Sequence, residues 1–293
     1  LVGGSSLVVD AAEAATTEEA GVMAELAWMY FEAEGEGQRR AARGRAPGPL
    51  FRDALERNPK HERALLGLHA LGKVNWRRQR TAASEYVTTL LEVRPNSVDG
   101  RLARAYDALT LGRLREVREA LDGLEQLAPR RREVRTLRAT LSWVEHDRDE
   151  ARAMLAELAA EDPADSAPER ELGAALIELY RFSEALEFVR AATERDPDDH
   201  RAWTRLGEAL ANTGDPEGGL AALERATDVA RGRHDVWRAN TKLVLDRIRR
   251  NFVEHEAGGL QFAWNPDGAK VLEAYLVPFY RDARRELAVR YGY

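Results

Sequence analysis

His200 to Ala230 reads HRAWTRLGEALANTGDPEGGLAALERATDVA, and this stretch decides the fold. It holds two helical segments on either side of Gly214-Asp215-Pro216. Apolar Leu206, Leu210 and Leu223 alternate with small Gly207, Gly219 and Ala226. A single helix pair buries only one apolar stripe, so such a unit needs copies of itself on either side to complete a core.

The copies are marked by proline. Pro95, Pro129, Pro163 and Pro197 recur every 34 residues, and Pro59 lies 36 before the first. Other columns keep the register. Ala83, Val117, Ala151, Ala185 and Gly219 form one. Val87, Leu121, Leu155, Val189 and Leu223 form a second, and Leu90, Leu124, Leu158, Ala192 and Ala226 a third. Ala105, Ala139, Gly173 and Gly207 line up in the first helices. Small residues belong where two helices cross closely. Proline stops a helix because it lacks the N–H and restricts the residue before it. Asp198 and Asp199 then stand where the next helix needs a cap.

These positions resemble the tetratricopeptide repeat, whose period is 34 residues. Trp203, Leu206, Gly207, Leu210, Gly214, Gly219, Leu223 and Ala226 match its motif, as do Leu172, Gly173, Leu176, Tyr180, Ala185 and Ala192 one unit earlier. The resemblance implies an all-α fold, a right-handed superhelical array of antiparallel helix pairs. Five good units are expected, preceded by an irregular one from Ala24 to Pro59 with a Gly- and Arg-rich insertion. The array is placed at residues 24–233, after an N-terminal segment 1–23, with a capping helix at 234–250.

Composition agrees. Of 293 residues, 44% are hydrophobic and 32% charged, with a net charge of −6, which suits a folded chain. Arg and Glu interleave, the mark of solvated helix faces rather than of a nucleic-acid footprint. Two Arg clusters, Gln38 to Arg45 and Pro129 to Arg135, are read as ordinary helix ends. Cysteine is absent, so thiolate metal sites and disulfides are excluded. No apolar run approaches the roughly 18 residues that span a bilayer. The opening LVGGSSLVVDAAEAA has neither Met nor a basic n-region, which leaves room for a signal peptide upstream.

The last forty residues differ in texture. NFVEHEAGGLQFAW reads as two short strands turning at Glu256-Ala257-Gly258-Gly259. An amphipathic helix follows, with Val271, Leu272, Tyr275, Leu276, Phe279, Tyr280, Ala283 and Leu287 on its apolar side and a kink expected at Pro278. Residues 251–293 resemble the opening of a peptidase-MA-like (gluzincin) domain, which follows tetratricopeptide repeats in some bacterial proteins. That resemblance implies a zinc peptidase further along the parent polypeptide, and with it a lean toward the periplasm or cell envelope. The family's HExxH motif is missing here: HERAL at His61 and HEAGG at His255 lack the second His.

No nucleophile elbow, P-loop or dinucleotide fingerprint occurs, and the six histidines, His200 and His234 among them, lack metal-ligand spacing. Neither a metal nor a cofactor is expected, nor catalysis by this chain. The remaining candidate is the concave groove lined by the first helix of each pair. Its expected residues are Asp99, Leu102, Tyr106 and Leu109, then Thr136, Thr140, Trp143 and Val144, then Arg170, Ala174, Ile177 and Glu178, and last Arg201, Thr204, Glu208 and Asn212. Tyr106 and Trp143 are the expected apolar anchors, with Arg170 and Arg201 holding carboxylate or backbone. The function so implied is a protein-interaction scaffold taking a protein or peptide partner. The alternatives are the non-catalytic half of a zinc peptidase and self-association.

Overall fold

The computed structural model describes residues 16–29, 47–74, 76–230 and 235–292. A helix at 16–29, α1, is followed by α2 (Pro47–Arg57), α3 (Glu62–Val74), α4 (Trp76–Val93), α5 (Val98–Thr110) and α6 (Leu114–Leu127). Next come α7 (Arg132–Val144), α8 (Arg148–Glu161), α9 (Ala167–Glu178), α10 (Phe182–Arg195), α11 (His200–Asn212) and α12 (Pro216–Val229). The chain ends with α13 (Val236–Asn251), strands β1 (Val253–Ala257) and β2 (Leu260–Trp264), and α14 (Pro266–Tyr291). Consecutive helices from α3 to α12 pack as pairs, and each pair packs on the next, giving a solenoid. The irregular first unit is a pair too: Ala20, Ala24 and Ala27 of α1 pack with Leu50, Phe51 and Ala54 of α2. Its first helix therefore begins at 16, ahead of the expected boundary at 24, and most of the Gly- and Arg-rich insertion lies outside the described residues.

Two kinds of turn repeat at the 34-residue period. Between pairs, the helix ends at Val93, Leu127, Glu161 and Arg195, each two residues before a proline of the series. A tight turn follows, in which Ser97 N–H donates to the Arg94 carbonyl, and Arg131, Asp165 and Asp199 repeat that bond to Ala128, Asp162 and Asp196. Asp199 then caps α11 by accepting from the N–H groups of Arg201 and Ala202. Within pairs, Gly112, His146, Tyr180 and Gly214 all take positive φ, at 68°, 74°, 60° and 91°. The next residue in each case (Arg113, Asp147, Arg181, Asp215) donates back to the carbonyl five residues earlier. This is the left-handed helix end that favours glycine, and two of its four copies carry a side chain instead.

Every residue of the small and apolar columns is buried. At the crossing of α11 with α12, a Cβ on Gly207 would stand 2.6 Å from Leu223 Cγ and 2.9 Å from the Gly219 carbonyl. A Cβ on Gly173 would meet Val189 Cγ1 at 2.5 Å. Ion pairs tie successive units, Arg132 to Asp165 at 2.8 Å and Arg131 to Asp99 at 2.5 Å, while Arg135 to Glu161 at 2.5 Å joins the two helices of one pair. The Pro129–Arg135 cluster is thus engaged by the chain's own carboxylates, while Gln38 to Arg45 lies outside the described residues.

Leu245 of α13 packs on Leu220 and Leu223 of α12, so α13 caps the array. The hairpin pairs Val253 with Trp264 through Ala257 with Leu260, and Gly258 and Gly259 form its two-residue turn at φ 61° and 72°. Asn265 caps α14, which runs on through Pro278.

Replacing Gly207 by Val should lower stability by about 2 kcal/mol, since the added carbons force the two backbones apart. Tyr180→Gly should raise it by about 0.5 kcal/mol through relief of the left-handed conformation, and Tyr180→Ala should not. Urea unfolding followed by circular dichroism measures both.

Candidate functional site

The first helices of successive pairs pack directly on one another. Helix α9 touches α7 and α11, and it also reaches α5, two units away. A surface that brings helices two units apart into contact is strongly concave. Its side chains come from Tyr106, Ala174 and Glu208, whose column also holds the fully buried Thr140, together with Glu171 and Arg205, which stand 34 residues apart.

At its centre, Arg205 Nη1 lies 2.8 Å from Glu208 and 3.7 Å from Glu178. Burial opposes the Arg205 charge, but Glu208, Glu178 and Glu171 outweigh it and hold the guanidinium above its ordinary value. Glu208 is shifted the other way. Burial pushes its carboxyl above the usual range with help from Glu178 and Asp235, although Arg205 opposes the shift. Tyr106, half-buried, lies within electrostatic reach of Glu171, Glu133 and Arg170, and its phenol is raised chiefly by burial. Glu208 and Glu178 thus flank Arg205, with Glu171, itself paired with Arg170, within electrostatic reach.

The expected site residues divide into those that share this surface and those that do not. Tyr106, Glu178 and Glu208 do. Asn212 is exposed, and its amide donates to the Glu208 carbonyl at 2.9 Å. Arg201 is exposed at the start of α11. Arg170 is occupied: it binds Asp199 at 2.5 Å and Glu171 at 3.0 Å, and Asp199 also accepts from Ser166 at 2.7 Å. Burial works against the Arg170 charge, but Glu171 and Asp199 outweigh it. Asp99 is engaged by Arg131.

Trp143 and Thr140 are corrections. Trp143 is 2% exposed and cannot anchor a partner. Its ring meets Phe188 edge-on at 4.6 Å, Arg148 and Arg152 each lie 5.1 Å from it, and its indole N–H donates to Glu184 at 3.2 Å. The reason is register: Trp143 stands 34 residues from Leu109 and from Ile177, and that whole column faces the core. Leu102, Thr136, Val144 and Thr204 are buried too. Thr140 is fully buried and donates to the Thr136 carbonyl at 2.8 Å. Glu171, Arg205 and Glu133 were missed. The signal for Glu171 and Arg205 was the column 103, 137, 171 and 205, whose members change from apolar to charged along the chain.

The histidines serve the fold. His61 Nδ1 accepts from Ala64 N–H at 3.3 Å, and burial, followed by Arg94, lowers its pKa. His69 meets Asp107 at 2.8 Å, joining α3 to α5. His234 lies outside the described residues. Among the described residues, no three His, Cys, Asp or Glu stand close enough to hold a metal ion, and no helix is long and apolar enough to cross a membrane.

A tetratricopeptide-repeat family model matches residues 145–204 and 176–243. A tetratricopeptide repeat protein from Parabacteroides merdae superposes with a TM-score of 0.51 at 13% identity, covering 78% of this chain and 84% of that one. The fold is a tetratricopeptide-repeat solenoid. The structure of YrrB, described as a TPR protein with an unusual peptide-binding site, is similar at a TM-score of 0.35 and 18% identity, over 65% of this chain and 95% of that one. Protein FlbA of Caulobacter vibrioides is 34% identical over 99 residues, 32% of this chain and 16% of FlbA. The match therefore spans about a sixth of that relative.

Two outcomes follow for the array. Trp143→Ala should cost about 4 kcal/mol, the loss of a fully buried ring, and appear as a lowered thermal midpoint. Arg170→Met should cost about 3 kcal/mol at neutral pH by stranding Asp199. Asp199 is itself buried, which raises its pKa, but Arg170 and Ser166 outweigh that and hold it below the ordinary value. Its stabilisation is complete above the unfolded Asp value of about 3.9 and fades as pH falls through the lower folded value. The gap between native chain and variant should therefore close on acidification, read from unfolding curves at pH 7 and pH 3.

Proposed function

We propose that this chain is a protein-interaction scaffold that binds a peptide or protein segment in the concave groove of the array. The observation that carries this reading is the Arg205 cluster. Glu208 and Glu178 flank one arginine, with Glu171 within electrostatic reach, on helices that are held rigidly by their neighbours and packed directly side by side. Preformed polar groups in a concave, partly desolvated surface give orientation and specificity to a bound chain. Arg201 and Asn212, exposed on the same helix, extend the surface that a ligand can reach.

The variant Glu178→Lys with Arg201→Glu tests this at side chains that do not build the core. Native chain and variant serve as baits against the source lysate, each checked by circular dichroism. A partner retained by the native chain and lost at least tenfold by the folded variant supports the groove. Equal retention by both rejects it.

A second reading attaches to residues 251–293, where hairpin and α14 stand beside the array and not within it. In it the repeats position substrates for a zinc peptidase domain of the parent polypeptide. An HExxH encoded within about a hundred residues after Tyr293 carries that reading, and a stop codon there ends it.

A further inference from the structure

Among the described residues, two apolar faces near the C-terminal end have no partner, and they match each other. The first belongs to α13. It continues the 34-residue register of α11, so that Trp203, Gly207 and Leu210 correspond to Trp237, Thr241 and Val244. In α11, Gly207 lies beneath α12, against Leu223 and Gly219. In α13 the equivalent face has no second helix, because β1 begins at Val253 where one would form. On that face Trp237 and Val244 remain 42% and 55% exposed.

The second face belongs to α14. One side of this helix holds the hairpin: Glu273 meets His255 at 3.0 Å, Arg284 donates to the Gly259 carbonyl at 2.9 Å, and Tyr280 lies 6.1 Å from Phe262. At about 100° per residue, Val271, Leu272, Tyr275 and Phe279 point away from that side. They are 66%, 42%, 74% and 62% exposed. The two faces do not close on each other in one chain. Only Phe252 separates α13 from β1, and only Asn265 separates β2 from α14, so α14 is held on β2.

We propose that α14 of one copy covers α13 of a second copy, and the reverse, giving a two-fold dimer closed by two identical helix contacts. At the exposures above, the six side chains offer roughly 700 Å² per copy, within the range of one side of a standard stable interface. The spacing also selects an alignment. Trp237 and Val244 are seven residues apart, as are Leu272 and Phe279. Laid parallel, the two stripes bring Arg247, three residues beyond Val244, beside Asp282, three beyond Phe279. Opposite charges thus meet at the end of the apolar contact, where Arg247 would join Arg281 and Arg285, 3.6 and 3.5 Å from Asp282, and set the register. Exchange of a terminal element between identical chains needs no new surface, only the two faces already present.

Light scattering behind size exclusion, across about 1 to 100 μM chain, tests the proposal within the range of an ordinary micromolar dimer. The expected result is a species of twice the 32.8 kDa chain mass. Tyr275→Glu with Phe279→Glu should yield the monomer with an unchanged circular dichroism spectrum, since both side chains are already exposed. Asp282→Arg should raise the dimer Kd at least tenfold, and adding Arg247→Asp should restore it. A monomeric native chain at 100 μM overturns the proposal and leaves α14 to be covered by some other domain or partner. A dimer indifferent to Tyr275→Glu with Phe279→Glu also overturns it, because the contact then lies elsewhere. Neither outcome bears on the groove, whose test uses other residues.

Discussion

The close crossing of the two helices in each pair is the constraint on which the rest depends. At Gly207 and Gly219 the backbones approach until a single added carbon would collide with a carbonyl oxygen. The equivalent crossings are filled by Ala139 with Ala151 and by Gly173 with Ala185. Because the pairs are close, their turns are short and repeat the same hydrogen bonds at the same period. Because the turns are alike, each pair is set on its neighbour by nearly the same rotation, and the stack curves. Curvature brings α9 to α5 and creates the concave surface. The site is therefore a consequence of crossing distance several steps removed.

Without one central core, a solenoid must hold adjacent units together locally. Apolar columns supply most of this, and charged side chains link the units at their turns. Arg170 with Asp199, Arg132 with Asp165 and Arg131 with Asp99 join residues 29 to 33 positions apart in the chain. The groove differs in kind. There, burial leaves Glu208 with a raised proton affinity that Arg205 does not cancel. The inter-unit pairs lie at the turns, whereas Arg205, Glu208 and Glu178 lie within the first helices of adjacent units.

The order of the columns was readable because each reflects a local requirement. A proline after each second helix and small residues at the crossings are needs of single helices or single pairs. The hairpin turn at Gly258 and Gly259 and the cap at Asn265 have the same local character. The placement of Trp143 was not readable in this way. An aromatic side chain on the first helix suits either the core or the groove, and a shift of three positions on the helix, from the column of Thr140 to that of Trp143, separates them. Comparison with Leu109 and Ile177 resolves it once burial is known.

By itself, then, the sequence determined the repeat, its period, the helix pairs, the cap and the hairpin, because those follow from short-range sterics and hydrogen bonding. Tertiary structure alone decided which helix face becomes the groove. It showed that Arg170 is consumed by Asp199, that Glu171 and Arg205 meet Glu178 and Glu208, and that α14 leaves an apolar stripe uncovered. These depend on rotation between units and on contacts across 30 or more residues, which a column of letters at one period does not specify.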